Sequence, residues 1–486
     1  MSPTEDNAGS PSHGGGRVAG KMHLGRDAYL DNCKLALMTL IGVGHAAQWL
    51  LALEDGRTGR GWCGGDGKPS SDWYRGGGRA VVDGDGDGDN DASPSPTASS
   101  SAVTVLRALY TWSNAIAIPM FCVISGHLSR SLVSPVPGGR EDVALLSRMR
   151  RNAEALLVPF FIFQGLACAV ETASPPLRRA LAPHDGGGDG DPSTHALAHD
   201  ATWEAAATLD LWTPHISWYL LALYLWRAAL PVFAQLRPAV AAALAAALGL
   251  GVGFTNTGAA TGYFLKWGTV WGNFPYFALG CALTSDRYRA VRDAGWVGRA
   301  GGAITTLATL AALLRGLAGH ALCFDAWQWE AWKSAPYVHY NRPGFMGGDR
   351  GAEVDADADV GARTLAAAVL FRAATYVGAV AAGIAFLVVL PRSHLPFVSP
   401  LGARTVYGYL LHAPALLGVM ALLGVFDRAG KENGLGEWEM ACFGVAVPVL
   451  VTAACMSRPA QACFWWMCEP SFGEWVWRPK EDEGWM

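Results

Sequence analysis

Apolar stretches about as long as a bilayer is thick recur along the chain, and nothing else in it constrains the fold as much. Hydrocarbon offers no water to satisfy a backbone N–H or C=O, so a segment of roughly 20 apolar residues must close its own hydrogen bonds as a helix. Ten such stretches stand at 35–53, 106–126, 153–171, 215–234, 238–256, 267–284, 302–320, 365–390, 404–425 and 440–457. The expected fold is all-α, a polytopic transmembrane helical bundle of about ten spans lying in a lipid bilayer. At 51% hydrophobic and 16% charged, with a mean hydropathy of +0.20, the chain is too apolar to be disordered as a whole. A formal net charge of -4 gives no electrostatic case for nucleic acid as a partner.

Basic residues orient the bundle. With the N-terminus in the cytosol, the connections on that side carry Arg148, Arg150 and Arg151, then Arg227 and Arg237, then Arg287, Arg289, Arg292 and Arg299, then Arg392 and Arg404. An even number of spans returns the C-terminus to the cytosol. Residues 1–25 read as a disordered cytosolic N-terminus with no apolar secretory core, and 26–457 as the membrane domain. The tail, 458–486, is rich in tryptophan (Trp465, Trp466, Trp475, Trp477, Trp485) and suits an interfacial anchor.

The opposite side receives long insertions at 54–102, 172–212 and 321–362. The first two contain Gly/Asp-rich runs that cannot bury enough apolar surface to fold and are expected to be disordered loops. The run DGDGDGDND at 83–91 lacks the closing Glu of a calcium loop, and Cys463 and Cys468 lack a second pair at zinc spacing, so no metal is expected. Cys63 and Cys323 share the outer side, which leaves a disulfide between them open.

Within the apolar stretches a few polar side chains stand out. The first span opens with Asp31 and Lys34 and is then interrupted by His45. Lys34 and His45 are eleven residues apart, which returns to nearly the same helix face about three turns, roughly 16 Å, further along. An ionisable group at membrane depth costs on the order of 2.5 kcal/mol or more, so it is usually kept for a site or a pathway. Against that stands the bland reading, a snorkelling lysine and a packed histidine.

PMFCVISGHL places Ser125, Gly126 and His127 at the end of the second span, where Pro119 is expected to bend or break the helix. SRMRRNAEALLVPFF sets Arg148 and Arg151 on one face before the third span, able to grip phosphate or simply to set topology. HISWYLLALYLW opens the fourth span with His215 and Trp218. LGARTVYGYLLHAPAL carries Thr405, Tyr409 and His412 at about helical spacing in the ninth.

Taken in order, YLDNCKLALMTLIGVGH, PMFCVISGH, RMRRNAEALLVPF, HISWYLLALYLW, YFALGCAL and LGARTVYGYLLH resemble the acyltransferase 3 family of integral membrane acyltransferases, in particular its fucose 4-O-acetylase-like branch. The resemblance runs from Arg26 to about Leu417, outside the insertions. It departs from that branch at Ala117-Ile118, where a His-Met precedes the proline, and at Leu35, usually glycine.

The resemblance implies transfer of an acyl group, commonly acetyl from acetyl-CoA, to a hydroxyl of a carbohydrate or related acceptor. It maps the family's basic residue and histidine of the first span onto Lys34 and His45, its basic pair onto Arg148 and Arg151, its Ser-Gly onto Ser125 and Gly126, and its ninth-span histidine onto His412. His45 is then the general base. Lys34, Arg148 and Arg151 hold the acyl-CoA donor, which is a substrate rather than a bound cofactor. Asp31, Ser125, His127 and His412 serve the acceptor or orient the base. The rival expectation is a proton-coupled transporter using the same intramembrane histidines, though no pair of matching halves is visible in the chain.

Overall fold

The computed structural model describes residues 27–58, 101–133, 141–173, 217–254, 267–318, 337, 362–425, 428 and 435–470. The N-terminal 1–25, His215, Cys63, Cys323, most of the three insertions and the tail beyond residue 470 lie outside them. Among the described residues 88% are helical and none is in a strand.

The helices are α1 (Ala28–Thr58), α2 (Ser101–Ser129), α3 (Glu141–Ala173), α4 (Trp218–Phe233), α5 (Pro238–Gly251), α6 (Trp267–Ala282), α7 (Ser285–Arg292), α8 (Trp296–Ala318) and α9 (Ala362–Val389). They continue with α10 (Ser399–Gly402), α11 (Thr405–Leu422), α12 (Glu437–Cys455, with a π turn at Cys442–Ala446) and α13 (Arg458–Cys468).

Six segments are long and apolar enough to cross a bilayer: Ala28–Leu51, Ser101–Leu132, Trp296–Gly316, Leu365–Val389, Thr405–Leu422 and Glu437–Cys455. The other four expected spans are helical too, but α4 and α6 have 16 residues each. At 1.5 Å per residue that is about 24 Å, short of a hydrocarbon core of about 30 Å. α5 is shorter still, and α3 carries Arg148, Arg150 and Arg151 in its third turn.

α2 is the hub. It packs against α1, α6, α8, α9 and α12, and 72% of its most apolar stretch is buried. Pro119 does not break α2, which runs through it, and Pro119, Ala117, Ile118 and Met120 are all buried. Helices α8 and α9 form the outer flank, where Leu370 and Val377 keep 69% and 70% of their surface. Apolar side chains standing outward along a long helix suit lipid rather than water.

The opening of α1 is braced by polar bonds rather than left to snorkel. Asn32 Nδ2 donates to Pro391 O (2.9 Å) and Ser393 O (3.1 Å), and its Oδ1 accepts from Ser399 Oγ (2.8 Å). Tyr29 donates to Leu387 O, and Gly402 lies directly on the Asp31 backbone, where no Cβ would fit.

Candidate active site

Two glycines bring His45 into the bundle. A Cβ at Gly42 would collide with Thr452 Oγ1 of α12, and one at Gly44 would lie 2.5 Å from Ser113 Oγ of α2, so α1 can approach both neighbours only because these positions are bare. His45 then faces His412 of α11, with ring centroids 5.3 Å apart, and Trp49 stacks one turn further along α1 at 6.0 Å.

His412 is 1% exposed, and its Nδ1 lies 2.9 Å from both Gly408 O and Tyr409 O. Two carbonyl oxygens can only accept, so Nδ1 carries the proton and Nε2 is a bare acceptor. That Nε2 is buried and has no hydrogen-bond partner. Since Nδ1 is turned to its own helix, Nε2 faces into the bundle. Further buried polar side chains lie against Gly42 and Gly44, namely Thr452 of α12 and Ser113 and Asn114 of α2; the last two donate to Tyr110 O.

A second polar layer follows toward the end of α2. Tyr219 OH of α4 lies 2.8 Å from Ser125 Oγ and 3.1 Å from Phe121 O. Donation to the carbonyl and acceptance from the serine satisfies both contacts. The Tyr219 backbone N–H donates to Tyr409 OH (3.1 Å), and Tyr409 sits one turn before His412 with ring centroids 6.5 Å apart. Ser125 is thus joined through two tyrosines to the histidine pair.

Beyond this layer, the 3-10 turn that follows α2 (Arg130–Leu132), α3 and α4 line an open cleft of about 420 Å³. Arg148, Arg151, Asn152 and Arg227 line it, together with Ser131 and Leu132. Arg148 Nη1 donates to Leu132 O (2.9 Å). Lys34 is not part of this cleft. Its ammonium is 2.8 Å from Asp31 Oδ1, one turn back on α1, and both residues sit at the braced opening of that helix. His127 is also elsewhere: it stacks on Tyr288 of α7 with centroids 5.0 Å apart, and Tyr288 OH donates to Asp27 Oδ2. Burial, and then that hydrogen bond to a carboxylate, holds the Tyr288 phenol well above its ordinary range. Thr405 is turned back onto Gly402 O at the start of α11 and so stands apart from Tyr409 and His412.

The structure therefore brings His45 together with His412, joins Ser125 to them through Tyr219 and Tyr409, and places Arg148 and Arg151 in one cleft. It leaves Asp31, Lys34 and His127 outside these groups. Ser113, Asn114, Thr452, Tyr219 and Arg227 were not singled out as site residues in the sequence. Their signals were present but faint: TWSN is a polar run inside an otherwise apolar stretch, and Arg227 interrupts α4. Among the described residues no group of three or more His, Cys, Asp or Glu side chains could hold a metal ion. The arginine cleft could hold an anion.

No family model, curated protein or solved structure matches the chain.

Proposed function

We propose that this chain is a membrane-embedded O-acyltransferase that moves an acyl group, most simply acetyl, from acyl-CoA to a hydroxyl of a carbohydrate or related acceptor. The observation that carries this reading is the facing pair His45 and His412, with the buried Nε2 of His412 left without a partner. In this reading a small rotation of the His45 ring would let the bare Nε2 of His412 receive an N–H from it, which orients His45 as the base.

The acceptor oxygen then attacks the thioester carbonyl as its proton passes to His45. The tetrahedral intermediate collapses by breaking the C–S bond, and the His45 imidazolium returns the proton to the departing thiolate. A general base of this kind contributes roughly 10²–10⁴-fold. The three arginines of the cleft would face the phosphate-bearing end of the donor, with Ser125, Tyr219 and Tyr409 between the cleft and the histidines.

In this reading α3 to α6 join the six longer helices as crossings, giving ten, with both termini in the cytosol and the long insertions on the other side. Lys34 is assigned to the ion pair with Asp31 rather than to the donor, because that pair fixes its ammonium at the opening of α1.

The test uses membranes containing the wild-type chain or His45→Ala, given labelled acetyl-CoA and a panel of glycans. The wild type should label at least one acceptor and the variant none. No incorporation with any acceptor, together with proton-dependent solute uptake into vesicles, would replace the enzyme by a transporter.

A further inference from the structure

One side of α1 carries polar groups that the bundle does not use. His45 meets the buried ring of His412 but is itself only partly buried, and so are Gln48 and Trp49, three and four positions further on. At about 100° per residue these three stand together on one side of the helix. Among the described residues neither the Gln48 amide nor the Trp49 indole N–H makes a hydrogen bond.

Their depth decides what can use them. The apolar stretch of α1 is Ala28–Leu51, so Gln48 is three residues short of its end and His45 six. At 1.5 Å per residue that is about 4.5 Å and 9 Å, which puts the amide at the edge of the hydrocarbon and the imidazole just beneath it. A tryptophan at that level is ordinary as an interfacial anchor. This one is held instead: its ring stacks on His45 at 24° with centroids 6.0 Å apart, and it packs against a buried apolar layer. That layer closes the bundle axis just past the histidine pair, with Leu50 and Leu51 of α1, Leu106 of α2, Leu416 and Met420 of α11 and Phe443 of α12. A polar molecule forced through it would lose its hydration with nothing in return. Among the described residues the approach to His45 from that end is therefore sideways, across the face of α1 at the level of the lipid headgroups.

An indole face, an amide and a base suit the hydroxyl-bearing ring of a sugar. Its C–H groups lie on the indole, and the amide offers both a donor and an acceptor to its hydroxyls. We propose that Gln48 and Trp49 form, with His45, the acceptor subsite, and that the acceptor is an amphiphile whose sugar headgroup lies at the interface while its tail stays in the lipid. The hydroxyl that gives its proton to His45 belongs to that headgroup. The proposal rests on the acyltransferase reading for the reaction but not for the binding.

The experiment uses the purified full chain in phosphatidylcholine nanodiscs, with glucosides, galactosides and mannosides that carry either a methyl or a dodecyl group. Transfer from labelled acetyl-CoA gives kcat and KM for each acceptor. A diazirine on the sugar of the dodecyl compounds marks, by peptide mapping, the helix that the headgroup touches. The variants are Gln48→Leu, Trp49→Leu and Trp49→Phe. Leucine on a lipid-facing side suits the bilayer, so the fold is kept, and phenylalanine retains an aromatic face.

We expect the KM of a dodecyl glycoside to be about tenfold or more below that of its methyl counterpart, and its diazirine to label α1. Gln48→Leu and Trp49→Leu should each raise that KM by about fivefold or more with the KM for acetyl-CoA unchanged, and Trp49→Phe should recover most of the loss. Wild-type KM in all three variants, or transfer to methyl glycosides as readily as to dodecyl ones, overturns the subsite and leaves the enzyme standing. No transfer to any acceptor, but labelling of α1 that is lost in Gln48→Leu and Trp49→Leu, keeps the subsite and removes the acyltransferase reading. Neither transfer nor labelling of α1 removes both.

Discussion

Gly126 offers the sharpest test of how this bundle is held together. It lies where α2 meets α6, and a methyl placed on it would fall inside the envelope of Phe277 O and 3.0 Å from Phe277 C and Cys281 N. These are backbone atoms, so no rotamer change relieves them. Gly280, facing Val123 on the same interface, is blocked in the same way, and Cys281 Sγ donates to Gly126 O across it. Ordinary contacts lie at about 3.5–4.0 Å against 2.0 Å to Phe277 O, so Gly126→Ala must part the helices by roughly 1.5–2 Å.

Overpacking of that kind costs about 1–3 kcal/mol. The gain in helix propensity from glycine to alanine, about 1 kcal/mol, offsets part of it. Gly378 of α9 is the control, because nothing lies within 4 Å of a Cβ built there. Gly378→Ala should keep the propensity gain and lose nothing. The two substitutions are chemically identical, the propensity gain is common to both, and the difference in stability is the overpacking cost, about 1–3 kcal/mol against Gly126→Ala. Heating the detergent-solubilised protein and measuring the monodisperse fraction by size exclusion ranks them. Gly126→Ala surviving as well as Gly378→Ala would show that α2 and α6 are not in the close contact described.

Two further outcomes can be checked separately. In the proposed acyltransferase, His412→Ala removes the group assigned to orienting His45 and leaves the arginine cleft untouched. The turnover rate for acyl transfer should fall between roughly ten- and a hundredfold with the KM for acyl-CoA unchanged, and a rate within twofold of wild type would remove His412 from the site. In α13, Cys463 is exposed whereas Cys468 is buried. Burial, and then the Glu469 carboxylate, pushes the Cys468 thiol up to about 12. At pH 8 its thiolate fraction is therefore roughly one in ten thousand, rising with pH only as about 12 is approached. Mass spectrometry after maleimide treatment at pH 8 should find Cys463 modified and Cys468 not; equal labelling would contradict the burial of that helix end.

The all-helical fold was legible because hydrocarbon leaves a backbone one local solution, and that rule needs only the length of an apolar run. The number of crossings was less so. Hydropathy cannot tell a helix buried among other helices from one facing lipid, and α4, with Leu220, Leu221, Leu223 and Trp226 all buried, is apolar for the first reason. Pro119 was read as a bend or a break; the helix runs through it without a break, among buried neighbours.

The site divides along the same line. His45 and His412 stood out because an ionisable ring is expensive among leucines, but their meeting depends on Gly42 and Gly44, whose meaning appears only once Thr452 and Ser113 lie opposite. Asp31 and Lys34 were visible at a spacing that already allows an ion pair, three residues apart on one helix face, and the structure shows that pair formed.

Arg372 shows why cost alone should have been weighed position by position. It is the one charged residue in the Leu365–Val389 run of α9, it is fully buried, and its Cζ lies 4.9 Å from the centroid of the Tyr337 ring. The argument that singled out His45 applies to it with more force, since an arginine cannot shed its charge as a histidine can. An average over twenty residues dilutes one arginine to almost nothing, whereas the free energy of burying it is not averaged at all.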